Sequence, residues 1–183
     1  MDIRMTESWD ARLWQLAKPV YERAFPAEGR KTEAIIRRML ERGIGQLHVA
    51  VRDGQAQAMA LTGRSPDGKA MLIDYLAVRE ELRGRGIGRH FVAALRHRAE
   101  RDEGRSGIII EVEAESTPDN LGRVRFWQSC GFRLTEYVHH YRWVPEPYRA
   151  MVLPFRDDAG LPIDGEGLFR YINEFHARAY RRG

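Results

Sequence analysis

The stretch from Val78 to Arg89, VREELRGRGIGR, constrains this chain more than any other. It separates a strand-like apolar run, Ala70 to Val78, from a helix-like run, Ile87 to Glu100. Glycines at 84, 86 and 88 let the backbone crowd close to a ligand with no side chains in the way. A loop of this kind that opens straight into a helix aims unpaired N–H groups and the positive helix end at one spot, which suits phosphate. Arg83, Arg85 and Arg89 add formal charge. The chain must therefore build a strand, an anion cradle and a helix in succession, and the rest of the fold has to accommodate that unit.

Three phosphate-binding motifs compete for these residues. A Walker A loop requires Lys-Ser or Lys-Thr after its glycines, and neither follows here. The dinucleotide fingerprint Gly-x-Gly-x-x-Gly fails at its last position, which is Arg89, and it expects a βαβ start where this chain reads as successive hairpins. The pattern Arg/Gln-x-x-Gly-x-Gly/Ala fits, as Arg83, Gly86 and Gly88. Further along, Thr117 and Pro118 read as the N-cap and first residue of a short helix, and Gly131 as its C-terminal glycine. Asn120 and Trp127, about two turns apart, share one face of that helix, and Gly131-Phe132 follows.

These two motifs, in this order and with a strand between them, resemble those of the GNAT superfamily, the acyl-CoA-dependent N-acetyltransferases related to histone acetyltransferases. The resemblance runs from Asp2 to Val144. It implies an α/β (α+β) GNAT fold: a mixed, mostly antiparallel central sheet with one splayed parallel pair and helices on both faces. The expected division is a GNAT acyl-CoA-binding domain over 1–146 and an extension over 147–183, a strand and an amphipathic helix, packing on the same domain.

Length and composition agree with such a domain. At 183 residues, with 43% hydrophobic and 31% charged residues, the chain reads as a globular domain long enough to bury a core. No apolar run approaches the roughly 20 residues that span a bilayer, and the N-terminus lacks an apolar signal segment, so no membrane partner and a cytoplasmic location are expected. The one cysteine, Cys130, leaves no disulfide framework, and no ligand spacing points to a metal. The formal charge of +4 invites a nucleic-acid reading. However, eight arginines against five acids between Arg79 and Arg105 place much of the excess beside the proposed phosphate loop. Too few aromatics interleave with that cluster or with the second one, Arg178, Arg181 and Arg182, to make a single-strand binding platform, so no nucleic acid is expected.

Along the chain, Asp2–Met5 reads as a strand, Ser8 as the cap of a helix from Trp9 to Phe25, and Thr32 as the cap of a second helix. Asp53-Gly54 marks a hairpin between Leu47–Arg52 and Gln55–Ser65. Gly107–Glu113 is the next strand, followed after the Thr117 helix by strands around Phe132–Glu136 and Tyr137–Val144. Met151–Phe155 reads as a last strand. Leu168, Ile172, Phe175 and Ala179 form the apolar stripe of a last helix. That helix would cover an edge or face of the core, make a homodimer contact, or act as a lid on the acceptor site.

The resemblance assigns acetyl-CoA as acyl donor and a primary amine, on a small molecule or a peptide or protein, as acceptor. It implies that the backbone of Leu76, Ala77 and Val78 pairs with the pantetheine arm. It implies too that Arg83, Gly84, Arg85, Gly86, Ile87 and Gly88 hold the pyrophosphate, and that Asn120 and Trp127 lie against the cofactor. At two positions the chain departs from the family. Trp127 stands where a tyrosine often protonates the leaving thiolate, and indole is no acid near neutral pH. Tyr137, Tyr141 or water would have to substitute. Leu72 stands where the histone-modifying branch has its basic glutamate. Glu113 is the first substitute, with Glu111 and Asp74 as the others. Glu111, Glu113 and Glu115 alternate along one strand face, where like charges raise one another's pKa and attract a cation. His139 and His140, adjacent on a strand, point to opposite faces. The alternative is a GNAT-shaped module that binds acyl-CoA as a sensor without turnover.

Overall fold

The computed structural model describes residues 1–181; Arg182 of the terminal basic cluster lies outside them. Its elements are β1 (Asp2–Thr6), α1 (Ala11–Ala24), α2 (Glu33–Glu41), β2 (Gly45–Arg52), β3 (Gln55–Arg64), β4 (Ala70–Val78), α3 (Ile87–His97), β5 (Gly107–Glu113), α4 (Pro118–Ser129), β6 (Arg133–His140), β7 (Pro147–Pro154) and α5 (Gly165–Tyr180). The strands run in the order β1-β2-β3-β4-β5-β7-β6. Every registered pair is antiparallel except β4 with β5, which pair in parallel over Ala70–Leu72 and Gly107–Ile109. The mixed sheet is thus as expected. The chain groups into two compact units, one of Met1–Gly63, Ile73–Val92 and the residues from Ala177 on, the other of Arg64–Leu72 and Ala93–His176.

In the first unit, β1 and β3 flank β2, and the β2–β3 turn has positive φ at Asp53 (52°) and Gly54 (73°). Those angles are what a two-residue type I′ turn needs, so Asp-Gly is sufficient cause of the hairpin. Helix α1 begins later than expected. Asp10, not Ser8, is its cap, accepting from the N–H groups of Arg12 and Leu13 at 2.9 Å each. Ser8 is engaged in a turn with Thr6 instead. A carboxylate on two N–H groups at the positive helix end outcompetes a hydroxyl that already has a partner. Thr32 caps α2 through the N–H of Ile35 as its position foretold. Leu13, Trp14, Ile36, Met39, Leu47 and Met59 are buried in this unit.

In the second unit, β7 lies between β5 and β6, antiparallel to both. The expected strand at Met151–Phe155 therefore starts four residues earlier, at Pro147. The two strands expected over Phe132–Val144 are one, β6, whose register shifts between Leu134 and Val138. Side chains hold that bulge. Thr135 Oγ1 donates to the Ala150 carbonyl at 2.8 Å, and Arg149 Nε donates to the Thr135 carbonyl at 2.7 Å. Helix α5 begins against it at Gly165, where a Cβ would come within 2.6 Å of Tyr137 Cβ and 2.8 Å of Thr135 Oγ1. Leu168, Ile172, Phe175 and Ala179 are buried, as the stripe required.

Candidate functional site

The first unit carries the loop on which the sequence analysis turned. Gly84 (φ 75°) and Gly86 (φ 79°) have left-handed backbones that strain any residue with a Cβ. They turn the chain so that α3 starts at Ile87. The first α3 bond is the His90 N–H to the Gly86 carbonyl, and no N–H from Gly84 to Arg89 has a hydrogen-bond partner among the described residues. His90 Nδ1 also lies 2.9 Å from the Gly86 carbonyl, which can only accept, so Nδ1 carries the proton. Arg83, Arg85 and Arg89 are exposed and form no ion pair among the described residues, whereas Arg79 is tied to Glu81 (2.8 Å) and Gln55 (2.9 Å). Arg83 Nε donates to the Val78 carbonyl at 3.3 Å, which holds that guanidinium beside the turn. A row of open N–H groups at a helix start, beside three guanidinium groups outside any ion pair among the described residues, suits a pyrophosphate. Upstream on β4, Ala77 is buried, while Leu76 and Val78 are half-buried.

Asp74, on the same strand, belongs to an internal ion pair. Lys31 Nζ lies 2.8 and 2.9 Å from its two oxygens, with both side chains 4% exposed or less. Tyr75 closes the arrangement, its ring centroid 5.2 Å from the ammonium and its hydroxyl accepting from the Lys31 N–H at 3.1 Å. Burial, followed by the Asp74 charge, pushes the Tyr75 phenol far above its ordinary range. The pair engages both oxygens of Asp74.

The second unit gathers the polar residues of β5, β6, β7 and α5. Glu111 accepts from the Tyr141 hydroxyl at 2.6 Å and lies 3.0 Å from His176 Nε2. The Tyr141 ring meets those of His139 (4.6 Å, edge-on) and Tyr148 (5.6 Å). Burial and then the charges of Glu111 and Glu113 push the Tyr148 phenol up to about 12. His139 stacks on Phe169 at 4.4 Å, and burial lowers its pKa despite the attraction of Glu111. Glu113, two residues on and more exposed, faces Arg123 at 3.9 Å. The structure therefore brings Glu111 into a cluster and leaves Glu113 at its margin and Asp74 in a separate pair.

Helix α4 starts and ends as expected, with Thr117 Oγ1 accepting from the Asn120 N–H and Gly131 at φ 95°. Asn120 is buried, and its carboxamide is internal: Nδ2 donates to the Glu115 carbonyl at 3.1 Å, and Oδ1 accepts from Arg123 at 2.6 Å. Trp127 packs edge-on against Phe126 and Phe132, each at 5.1 Å. His176, Tyr148 and Lys31 were not singled out from the sequence. His176 follows Ile172 by four residues, so helical spacing puts it beside the buried stripe, and that was the available signal. Among the described residues no cluster of three or more His, Cys, Asp or Glu could hold a metal, and no helix is long and apolar enough to cross a membrane.

Comparison with known proteins agrees with this architecture. A family model described as "Acetyltransferase (GNAT) family" matches residues 10–132. Among solved structures, a GNAT-family acetyltransferase of Bacteroides thetaiotaomicron is 18% identical, with each chain covered in full and a TM-score of 0.75. A Bacillus subtilis acetyltransferase in complex with CoA is 18% identical over 84% of this chain and 98% of that one, with a TM-score of 0.57. A streptothricin acetyltransferase of Bacillus anthracis, in complex with acetyl coenzyme A, is 17% identical over 62% and 64%, with a TM-score of 0.52. No curated protein matches the chain. With two thirds of its length matched by the family model, the chain belongs to the GNAT family of acetyltransferases.

Proposed function

We propose that this protein transfers the acetyl group of acetyl-CoA directly to a primary amine, without a covalent enzyme intermediate. The observation that carries the reading is the row of partnerless N–H groups from Gly84 to Arg89, at the start of α3. Those groups, with Arg83 and Arg85, bind the pyrophosphate, and the backbone of Leu76, Ala77 and Val78 pairs with the arm that follows it. Acetyl-CoA supplies an acyl group already activated as a thioester. The chain's contribution is position and proton transfer: the carboxylates of Glu111 and Glu113 draw in a cationic amine, and a base must strip its proton before it can attack. The lone sulfhydryl, on Cys130, follows the C-terminal end of α4, where the helix dipole opposes a thiolate.

One observation favours a second reading. Trp127 is packed between two phenylalanines and has no acidic proton to give a leaving thiolate. An acyl-CoA sensor without turnover would tolerate it. Thermal unfolding of wild type and Gly86→Glu, with and without acetyl-CoA, tests the binding step. At a hundred times its dissociation constant, a specific ligand adds about 2.7 kcal/mol to wild type alone. An unmoved wild type sinks both readings. A shift without amine-dependent thiol release leaves the sensor.

A further inference from the structure

We propose that His90 is a donor-binding residue, whose Nε2 meets a phosphate of the acyl donor and must take up a proton to do so, which couples donor affinity to pH. The inference rests on the acetyl-transfer reading, which supplies the anion, and deepens it. Every residue involved lies in the first compact unit. His90 stands four residues after Gly86, so the first turn of α3 returns it to the Gly86 carbonyl. Its N–H reaches that oxygen at 3.1 Å and its ring Nδ1 at 2.9 Å. A carbonyl has no hydrogen to give, so Nδ1 is the protonated nitrogen of the neutral ring and Nε2 carries the lone pair.

The ring also lies along the loop itself. A Cβ at Gly86 would stand 3.6 Å from Nδ1 and 3.7 Å from Cε1. Nε2 is bonded to Cε1, so the basic nitrogen is held beside Gly86, within the row of open N–H groups. His90 is exposed, and Nε2 has no hydrogen-bond partner among the described residues. A phosphate oxygen without a proton accepts and does not donate. Against a neutral His90 it meets a second acceptor at Nε2, and the contact repels. Against the imidazolium it receives a charge-assisted hydrogen bond, at a helix start that already favours an anion. A free imidazole could offer either N–H in its neutral form. His90 has committed one to Gly86, so the hydrogen for the phosphate has to come from solvent.

No covalent bond of the donor changes: one proton moves from solvent to Nε2 as the anion arrives and returns when it leaves. Around the ring, Ile87 and His90 line a hollow of about 670 Å³ together with residues of β1 and β2. The charged groups there are the amino group of Met1, Asp2 and Arg4 of β1, Arg52 of β2 and Asp53 in the turn that follows. Arg4 is paired with Asp2 at 3.0 Å and Arg52 with Asp53 at 3.8 Å, so those four charges offset one another. On its own loop and helix His90 has Arg83, Arg85 and Arg89 for neighbours. Among these side chains imidazole is the type that changes charge between about pH 5 and 8.

The test is titration calorimetry of CoA and of 3′-dephospho-CoA, from about pH 5.5 to 8.5, in buffers of different ionisation enthalpy, which reads both affinity and proton uptake. Wild type is compared with His90→Asn, whose amide still donates to the Gly86 carbonyl but leaves nothing at the place of Nε2. The Met1 amino group and the ribose phosphate, which titrates near 6 itself, are the same in both proteins and cancel in the comparison. The expected result is that wild type binds about tenfold or more tightly at the acid end than at the alkaline end and takes up a proton on binding. In His90→Asn that slope and that uptake vanish, and the affinity stays near the alkaline value of wild type. A difference between the two proteins with both ligands places Nε2 on the pyrophosphate, and one with CoA alone places it on the ribose phosphate. The inference is overturned if wild type shows no slope, if His90→Asn keeps it, or if His90→Asn weakens binding equally at every pH, the mark of a loop contact only. Thermal unfolding without ligand shows that each protein is folded across the range. If folded wild type binds neither CoA nor dephospho-CoA, the donor reading itself has failed and this inference falls with it.

Discussion

At the scale of single residues the Lys31–Asp74 pair separates structure from chemistry. Sequence spacing put Asp74 on the face of β4 where a base would serve, but spacing says nothing of a lysine 43 residues away that fills the same space. Once both charges are enclosed, removing one strands the other in a low-dielectric setting. Asp74→Asn should therefore destabilise the protein by about 3–5 kcal/mol, and the volume-matched pair Lys31→Met with Asp74→Leu by much less. Chemical denaturation of the three variants checks this. A loss under about 1 kcal/mol in Asp74→Asn would mean the pair is hydrated and open to an acceptor after all.

Among elements, what was legible followed from local rules. Glycines with positive φ, a threonine cap, an Asp-Gly hairpin and a four-residue stripe each act within a few positions, so the phosphate loop, α2, the β2–β3 turn and α5 could be read directly. Features set by distant partners could not. The β6 bulge depends on Arg149, 14 residues from the carbonyl it binds, and the Glu111 cluster draws on residues 30 and 65 positions away. The candidate site divides in the same way: the glycine turn that opens α3 was legible, whereas the placing of Glu111, Glu113 and Asp74 in three different surroundings was not. Gly165 joins the two kinds of cause, because its lack of a Cβ lets α5 start against Thr135 and Tyr137. Gly165→Val would force the helix start or the bulge to move. It should lower stability by about 1–3 kcal/mol. Chemical denaturation of the variant beside wild type checks this, and an unchanged midpoint would mean that the helix start gives way without cost.

For the molecule as a whole, the half-buried polar cluster gives stability a pH signature. Burial lowers the pKa of His139, with Glu111 opposing and His140 adding to the shift, so the folded chain favours the neutral ring. An unfolded chain titrates this residue near 6.5. Above that pH neither state binds the proton and His139 leaves stability unchanged. As the pH falls below 6.5, the unfolded state takes up a proton that the folded state refuses until its own lower pKa is reached, so stability declines across that window and then levels. Tyr148 acts at the other end. Its phenol, at about 12 when folded and 10 when unfolded, makes stability decline as the pH rises through 10. Between these limits His139 and Tyr148 are both neutral in the folded chain. Tm measured from pH 5 to 11 should thus show a plateau between two slopes. His139→Gln should flatten the acid slope just below 6.5, and Tyr148→Phe should reduce the alkaline one, which the raised phenols of Tyr21, Tyr75 and Tyr171 share, each leaving the opposite slope in place. An acid slope that survives His139→Gln unchanged would assign the loss to other groups and remove His139 from the account.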